Sequence, residues 1–163
     1  MISKKMQKAI NDQINAELHS AYLYFSMVSY FKSLNLDGFA QWMTVQTQEE
    51  IFHATKFFTF VLDRGGRALL APIEAVATEW ESPLAAFEAA YKHELYITKR
   101  INDLVKLARQ ESDTAAEVLL QWYVTEQVEE EANVSEILEK LRMVGDKSGS
   151  ALYLDKEYGK REG

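Results

Sequence analysis

Apolar residues recur at alternating steps of three and four along four long stretches of the chain, the period of amphipathic helices. The first stretch carries Met6, Ile10, Ile14, Ala21, Tyr24, Val28 and Phe31, and ends where Asp37 is placed to cap the next helix. The second carries Phe39, Met43, Phe57 and Phe60 and stops at Gly65-Gly66, a glycine terminator. The third carries Phe87, Ala90, Ile97, Ile101, Leu104 and Ala108 behind Ser82-Pro83, a cap followed by a first-turn proline. The fourth carries Ala116, Leu120, Tyr123, Val134, Ile137, Leu141 and Val144 and closes at Gly145. Short breaks after the first and third stretches imply antiparallel neighbours. The stretch from Arg67 to Ser82 is long enough to run the length of a bundle. The pattern predicts an all-α fold in one domain. A four-helix bundle with a long crossover between helices two and three fills residues 1–145, and a short fifth helix outside it lies within residues 146–163.

Each apolar stripe is interrupted near its middle. Extending the steps places Glu17 on the buried face of the first helix and Gln46, Glu50 and His53 on that of the second. Glu94 takes the same place on the third, and Gln127 and Glu130 on the fourth. Mid-helix positions of bundled helices share one level, so the interruptions should meet. Burying an unpaired carboxylate costs several kcal/mol, and several together repel one another in a domain stable by only ~5–15 kcal/mol. No Lys or Arg occupies a neighbouring stripe position, which leaves a pair of metal cations as the neutralising partner. Hard oxygens with one imidazole suit iron or manganese and also accept zinc. Glu50 and His53, at i and i+3, stand on one face and can grip one ion.

The chain also repeats itself. The segments that begin at Gln41 and at Gln121 align without gaps: Trp42 pairs with Trp122, Glu49 with Glu129, Glu50 with Glu130 and His53 with Asn133, and Glu17 pairs more weakly with Glu94. Glu49, Glu126 and Glu129 lie one position off the main stripe. They read either as a solvated helix face or as a flanking cation site, and the pairing of Glu49 with Glu129 favours the second. His19 and His93 point away from the stripes and read as surface or packing residues, whereas Tyr24 shares the face of Glu17.

Composition adds exclusions. The chain of 163 residues has no Cys, so disulfides, thiolate nucleophiles and thiolate metal sites are absent, consistent with a reducing compartment. A formal charge of −7, with acid spread along the chain, argues against nucleic acid and is compatible with cations. No apolar leader core or run of ~18 apolar residues occurs, so neither a signal peptide nor a membrane span is expected. Asp113 and Glu117, near the start of the fourth helix, suit either pore lining or the positive end of a helix dipole.

Glu17, the run Gln48-Glu49-Glu50-Ile51-Phe52-His53, Glu94 and the cluster Glu126, Gln127, Glu129, Glu130 together resemble the bacterial non-haem ferritins over essentially the whole chain. The resemblance implies a ferritin-like cytoplasmic subunit that assembles into a hollow 24-subunit homo-oligomeric shell and stores hydrated ferric oxide. It implies a ferroxidase that takes Fe(II) to Fe(III) with O2, or H2O2, as oxidant. By the same resemblance Glu17, Glu50 and His53 hold the first iron, and Glu94 and Glu130 the second, with Glu50 bridging and Gln127 nearby. Glu49, Glu126 and Glu129, sharing Glu130, hold a third. Tyr24 becomes an outer-sphere electron donor, with Trp122 close by. No haem is implied: the haem-binding relatives have Met after the bridging Glu and a second Glu-x-x-His, where this chain has Ile51 and Asn133. The absence of Cys and of that second motif also separates it from rubrerythrin-like peroxidases. The alternative within the same superfamily is a di-iron or di-manganese redox enzyme without storage.

Overall fold

The computed structural model describes residues 1–145 and 149–163; residues 146–148, which open the predicted C-terminal segment, lie outside the described residues. Among the described residues five helices follow one another: α1 (Lys4–Ser33), α2 (Asp37–Asp63), α3 (Pro83–Gln110), α4 (Thr114–Val144) and α5 (Ser150–Tyr158). The first four form the bundle, with α1 against α2 and α3 against α4, and α5 docks on α2 and α4. No helix among the described residues is long and apolar enough to cross a membrane.

The two short connections are built alike. Asn35 and Ser112 both adopt a left-handed conformation, with φ of 58° and 53°. The Leu36 N–H reaches back to the Phe31 carbonyl at 3.0 Å, and the Asp113 N–H reaches the Ala108 carbonyl at 2.9 Å. These are matching reversals that satisfy the last carbonyls of α1 and α3, and they extend the internal repeat from side chains to backbone. The crossover runs along α1 in the same direction, pinned by side chains of that helix. Asn11 donates to the Arg67 carbonyl, Asn15 to those of Ala71 and Pro72, and Ser26 to that of Ala77. The chain therefore reaches the far end of the bundle before Ser82 caps α3 by accepting from the Ala85 N–H.

The buried stripes differ from the predicted ones at their ends. Met27 rather than Val28 is buried in α1, and Val61 rather than Phe60 in α2, while Val144 is half-buried. At these points the alternate three- or four-residue step is the one taken. Asp37 does not cap α2; it is the first helical residue and pairs with Lys32 at 2.7 Å. The cap comes from elsewhere, because the Asp155 carboxylate of α5 accepts the Phe39 N–H at 2.7 Å. That contact needs Gly38: a Cβ there would lie 1.6 Å from the Asp155 carbonyl oxygen.

The core falls into two apolar blocks. One gathers Met27, Phe31, Phe39, Met43, Phe87 and Ile137. The other gathers Met6, Ile10, Phe57, Ile101, Leu120 and Tyr123. Between them lies a polar layer of Glu17, Gln46, Glu50, His53, Glu94, Gln127 and Glu130, all buried.

Candidate metal centre

Every helix of the bundle contributes to the polar layer from near its midpoint, and Glu17, Glu50, His53, Glu94, Gln127 and Glu130 are each 3% exposed or less. Their ligand atoms gather in overlapping groups within 4.8 Å: Glu17, Glu50 and His53; Glu50, Glu94 and Glu130; and His53, Glu126 and Glu130. Glu50 belongs to the first two groups, the place a bridging carboxylate must occupy. The first group offers two carboxylates and an imidazole, and the second offers oxygen alone.

Each carboxylate is partly engaged by neutral donors. Gln13 donates to Glu17 at 2.8 Å, and Gln46 donates to Glu130 at 2.5 Å. Tyr24 donates its hydroxyl to Glu94, which also accepts from Gln127 at 3.1 Å. Gln127 thereby orients Glu94 and contacts the Thr98 hydroxyl at 3.2 Å. The His53 Nδ1 stands 3.3 Å from Glu50. Its backbone carbonyl accepts from the Tyr123 hydroxyl at 2.7 Å, while its ring packs edge-on against Trp122 at 5.5 Å. Within the cage, the buried Oε2 of Glu17 has no hydrogen-bond partner. A dry acceptor without a donor is costly, and a cation between Glu17, Glu50 and His53 would satisfy it.

Burial, then the neighbouring carboxylates Glu94, Glu17 and Glu130, push the Glu50 carboxyl well above the usual range. Burial and then the Glu94 charge do the same to Glu130. Burial raises Glu94 to about 7 against the opposing hydrogen bonds of Tyr24 and Gln127. Burial also raises Glu17, offset by His53 and Gln13. A cage without cations therefore holds protons in their place, and the residues present fit two divalent ions.

The off-stripe acids are placed differently. Glu126 reaches within 3.7 Å of the His53 Nε2. Glu49 pairs with Arg161 at 2.5 Å, and Glu129 is solvent-exposed and outside the three groups. His93 is half-buried, contacts the Ser20 hydroxyl at 2.7 Å and is lowered to about 4 by burial and then by His19. Asp113 caps α4 and holds Arg64, and Glu117 pairs with Arg109. Gln13, Arg100 and Arg161 support the cage although the interrupted stripes do not single them out. For Gln13 a signal exists: Gln precedes Glu by one helical turn at Gln13-Glu17 and again at Gln46-Glu50.

Fold and site together define a four-helix bundle whose buried central carboxylates and imidazole form groups that could hold metal. A family profile described as a ferritin-like domain matches residues 7–144. A bacterial non-heme ferritin of Bacteroides fragilis is 42% identical over 161 residues, covering 99% of this chain and 100% of that one. One from Staphylococcus aureus is 35% identical, covering 99% and 97%. A crystal structure of an open-pore ferritin from the hyperthermophilic archaeon Archaeoglobus fulgidus superposes with a TM-score of 0.98 at 56% identity, covering 99% of both chains. The chain belongs to the ferritin family, which places it among iron-storage proteins.

Proposed function

We propose that this protein is a cytoplasmic ferroxidase and iron store. Two Fe(II) enter the cage as substrates, one at Glu17, Glu50 and His53 and the other at Glu50, Glu94 and Glu130. Each gives one electron to O2, which with two protons becomes H2O2, itself a second candidate oxidant. The Fe(III) formed leaves for a hydrated ferric oxide inside a shell of 24 copies. The observation that carries this is the unpartnered buried oxygen of Glu17 in a cage where the Glu17-Glu50-His53 and Glu50-Glu94-Glu130 groups share Glu50. Hard anionic oxygens favour the higher charge of Fe(III). A neutral imidazole and neutral amides keep the ligand charge low enough for the product to depart.

Gln127 and Tyr24 orient Glu94, and Tyr24 is placed to supply a further electron through its contact with that ligand. A third iron is held by Glu126 with the shared Glu130, and by Glu49 and Glu129 once Glu49 leaves Arg161. The grouping of Glu126 with His53 and Glu130 supports this position. The test loads Fe(II) anaerobically, admits O2 and follows its uptake, with particle size from light scattering. Glu50→Ala and His53→Ala should each slow oxidation by at least about tenfold, the loss that follows removal of even an outer partner of a metal ligand. Oxidation at the parent rate in either variant refutes the site, and a monomeric particle refutes the shell.

A further inference from the structure

Two arginines approach the cage from opposite rims in the same manner. The Arg100 Nε donates to the Gln13 Oε1 at 2.9 Å, and Gln13 turns its NH2 to Glu17 at 2.8 Å. The Arg161 Nη1 donates to the Gln46 Oε1 at 3.0 Å, and Gln46 turns its NH2 to Glu130 at 2.5 Å. Each guanidinium is itself fixed by a backbone carbonyl and an aromatic ring. Arg100 donates to the Asp12 carbonyl at 3.2 Å and lies 5.7 Å from the Tyr96 ring centroid. Arg161 donates to the Trp42 carbonyl at 3.4 Å and lies 4.4 Å from the Trp42 centroid, with Glu49 as a further partner.

The chemistry of the three side chains explains the order. Arg only donates, a carboxylate only accepts, and Gln does both. A guanidinium placed directly on Glu17 or Glu130 would occupy the lone pairs a metal needs and put a positive charge beside it. An amide between them passes on the orientation without the charge. The Arg at its oxygen end also removes the choice of amide orientation, so the NH2 must face the carboxylate.

We infer that Arg100 through Gln13 and Arg161 through Gln46 are two separate positioning relays, the first setting Glu17 for the histidine-containing metal position and the second setting Glu130 for the all-oxygen position. The Arg161 relay begins beyond the end of α5, so docking of the C-terminal segment is tied chiefly to the second position through Glu130, with the Gln46 NH2 also 3.5 Å from the shared Glu50. This inference rests on the two-metal cage proposed above.

The test uses the full-length assembly and Zn(II) as a redox-silent probe, with occupancy at each position read from anomalous scattering of crystals equilibrated at sub-saturating metal. Arg100→Ala should lower occupancy-derived affinity at the Glu17 position by about tenfold and at the Glu130 position, linked to it through the shared Glu50, by clearly less. Arg161→Ala should do the reverse. Lys at either place, able to reach the amide oxygen but without the guanidinium fork, should restore part of the loss. Gln46→Met keeps Arg161 with its bonds to the Trp42 carbonyl and Glu49 and should reproduce Arg161→Ala, which covers the case in which loss of Arg161 frees the tail. Adding Arg100→Ala to Gln13→Met should cost nothing more. If both arginine variants shift the two positions equally, or neither shifts its own, the relays are overturned and the cage stands. If the parent protein binds Zn(II) at neither position, the cage falls and the relays with it.

Discussion

Removing metal from the cage leaves Glu17, Glu50, Glu94 and Glu130 buried together with no cation among them. All four ionised carry a charge of −4, which two divalent ions neutralise. Without metal, Glu50 and Glu130 are held well above the carboxylate range and Glu94 at about 7. The empty cage therefore keeps protons on these carboxyls, and binding two ions must expel them. Zn(II) titration calorimetry in buffers of different ionisation enthalpy counts those protons directly. The count should fall as pH rises past about 7, where Glu94 has already lost its share. Below that, the overall two-ion constant should climb about a hundredfold per pH unit for two protons released. The metal-free fold carries the opposite sign. A carboxyl whose folded value is raised, as for Glu94 from 4.5 to about 7, stabilises most below 4.5 and ceases to do so as pH passes about 7. Chelation should thus lower the melting temperature more at pH 8 than at pH 5. Release of fewer than about one proton per subunit near pH 6, or an affinity flat with pH, refutes the charge balance.

Tyr24→Phe keeps the ring in the core and removes the hydroxyl donor to Glu94; affinity at the all-oxygen position should fall about tenfold with little change in melting temperature, and unchanged Zn(II) affinity contradicts its role. Gly38→Ala drives a Cβ into the Asp155 carbonyl, so α5 must lift and the Phe39 N–H loses its cap, worth about 1 kcal/mol. Hydrogen exchange over residues 150–158 should accelerate; undiminished protection there shows that α5 is held some other way. Phe57→Ala removes a fully buried ring stacked 3.9 Å from Tyr123, whose hydroxyl fixes the His53 carbonyl. Denaturant unfolding of the metal-free protein should show a loss of about 3–5 kcal/mol, and a loss below about 1 kcal/mol means that the site collapses without cost.

Most of the bundle was legible because buried positions repeat at helical spacing and because Glu or His in such a stripe has few structural reasons to be there. Glu17, Glu50, His53, Glu94, Gln127 and Glu130 all lie in the layer that the stripes placed them in. What sequence did not disclose depends on contacts between distant segments. The cap of α2 comes from Asp155, and the partner of Glu49 is Arg161. Neither has a periodic signal, because both follow from how α5 and the tail dock. Asp37 satisfied the local rule for a cap and lost to the remote carboxylate. Glu129 shares its alignment with Glu49, yet its side chain faces solvent, since an off-stripe position can turn either way and the pattern alone does not decide.

The two halves of the repeat diverge at one place that matters chemically. Glu50 is followed one turn later by His53, and Glu130 by Asn133. His53 stands against Trp122 and faces Glu126, whereas Asn133 lies in a groove with Trp42 and Arg161. Where one half brings the imidazole of His53 to the cage, the other brings none, and its amide Gln127 donates to Glu94. The two proposed metal positions are therefore unequal although the scaffold around them is nearly symmetric. A borderline nitrogen suits Fe(II), while oxygen-only coordination favours the trivalent product. A cage with two imidazoles would treat both ions alike; this one distinguishes them, and the distinction traces to His53 standing where the matching position of the other helix pair has Asn133.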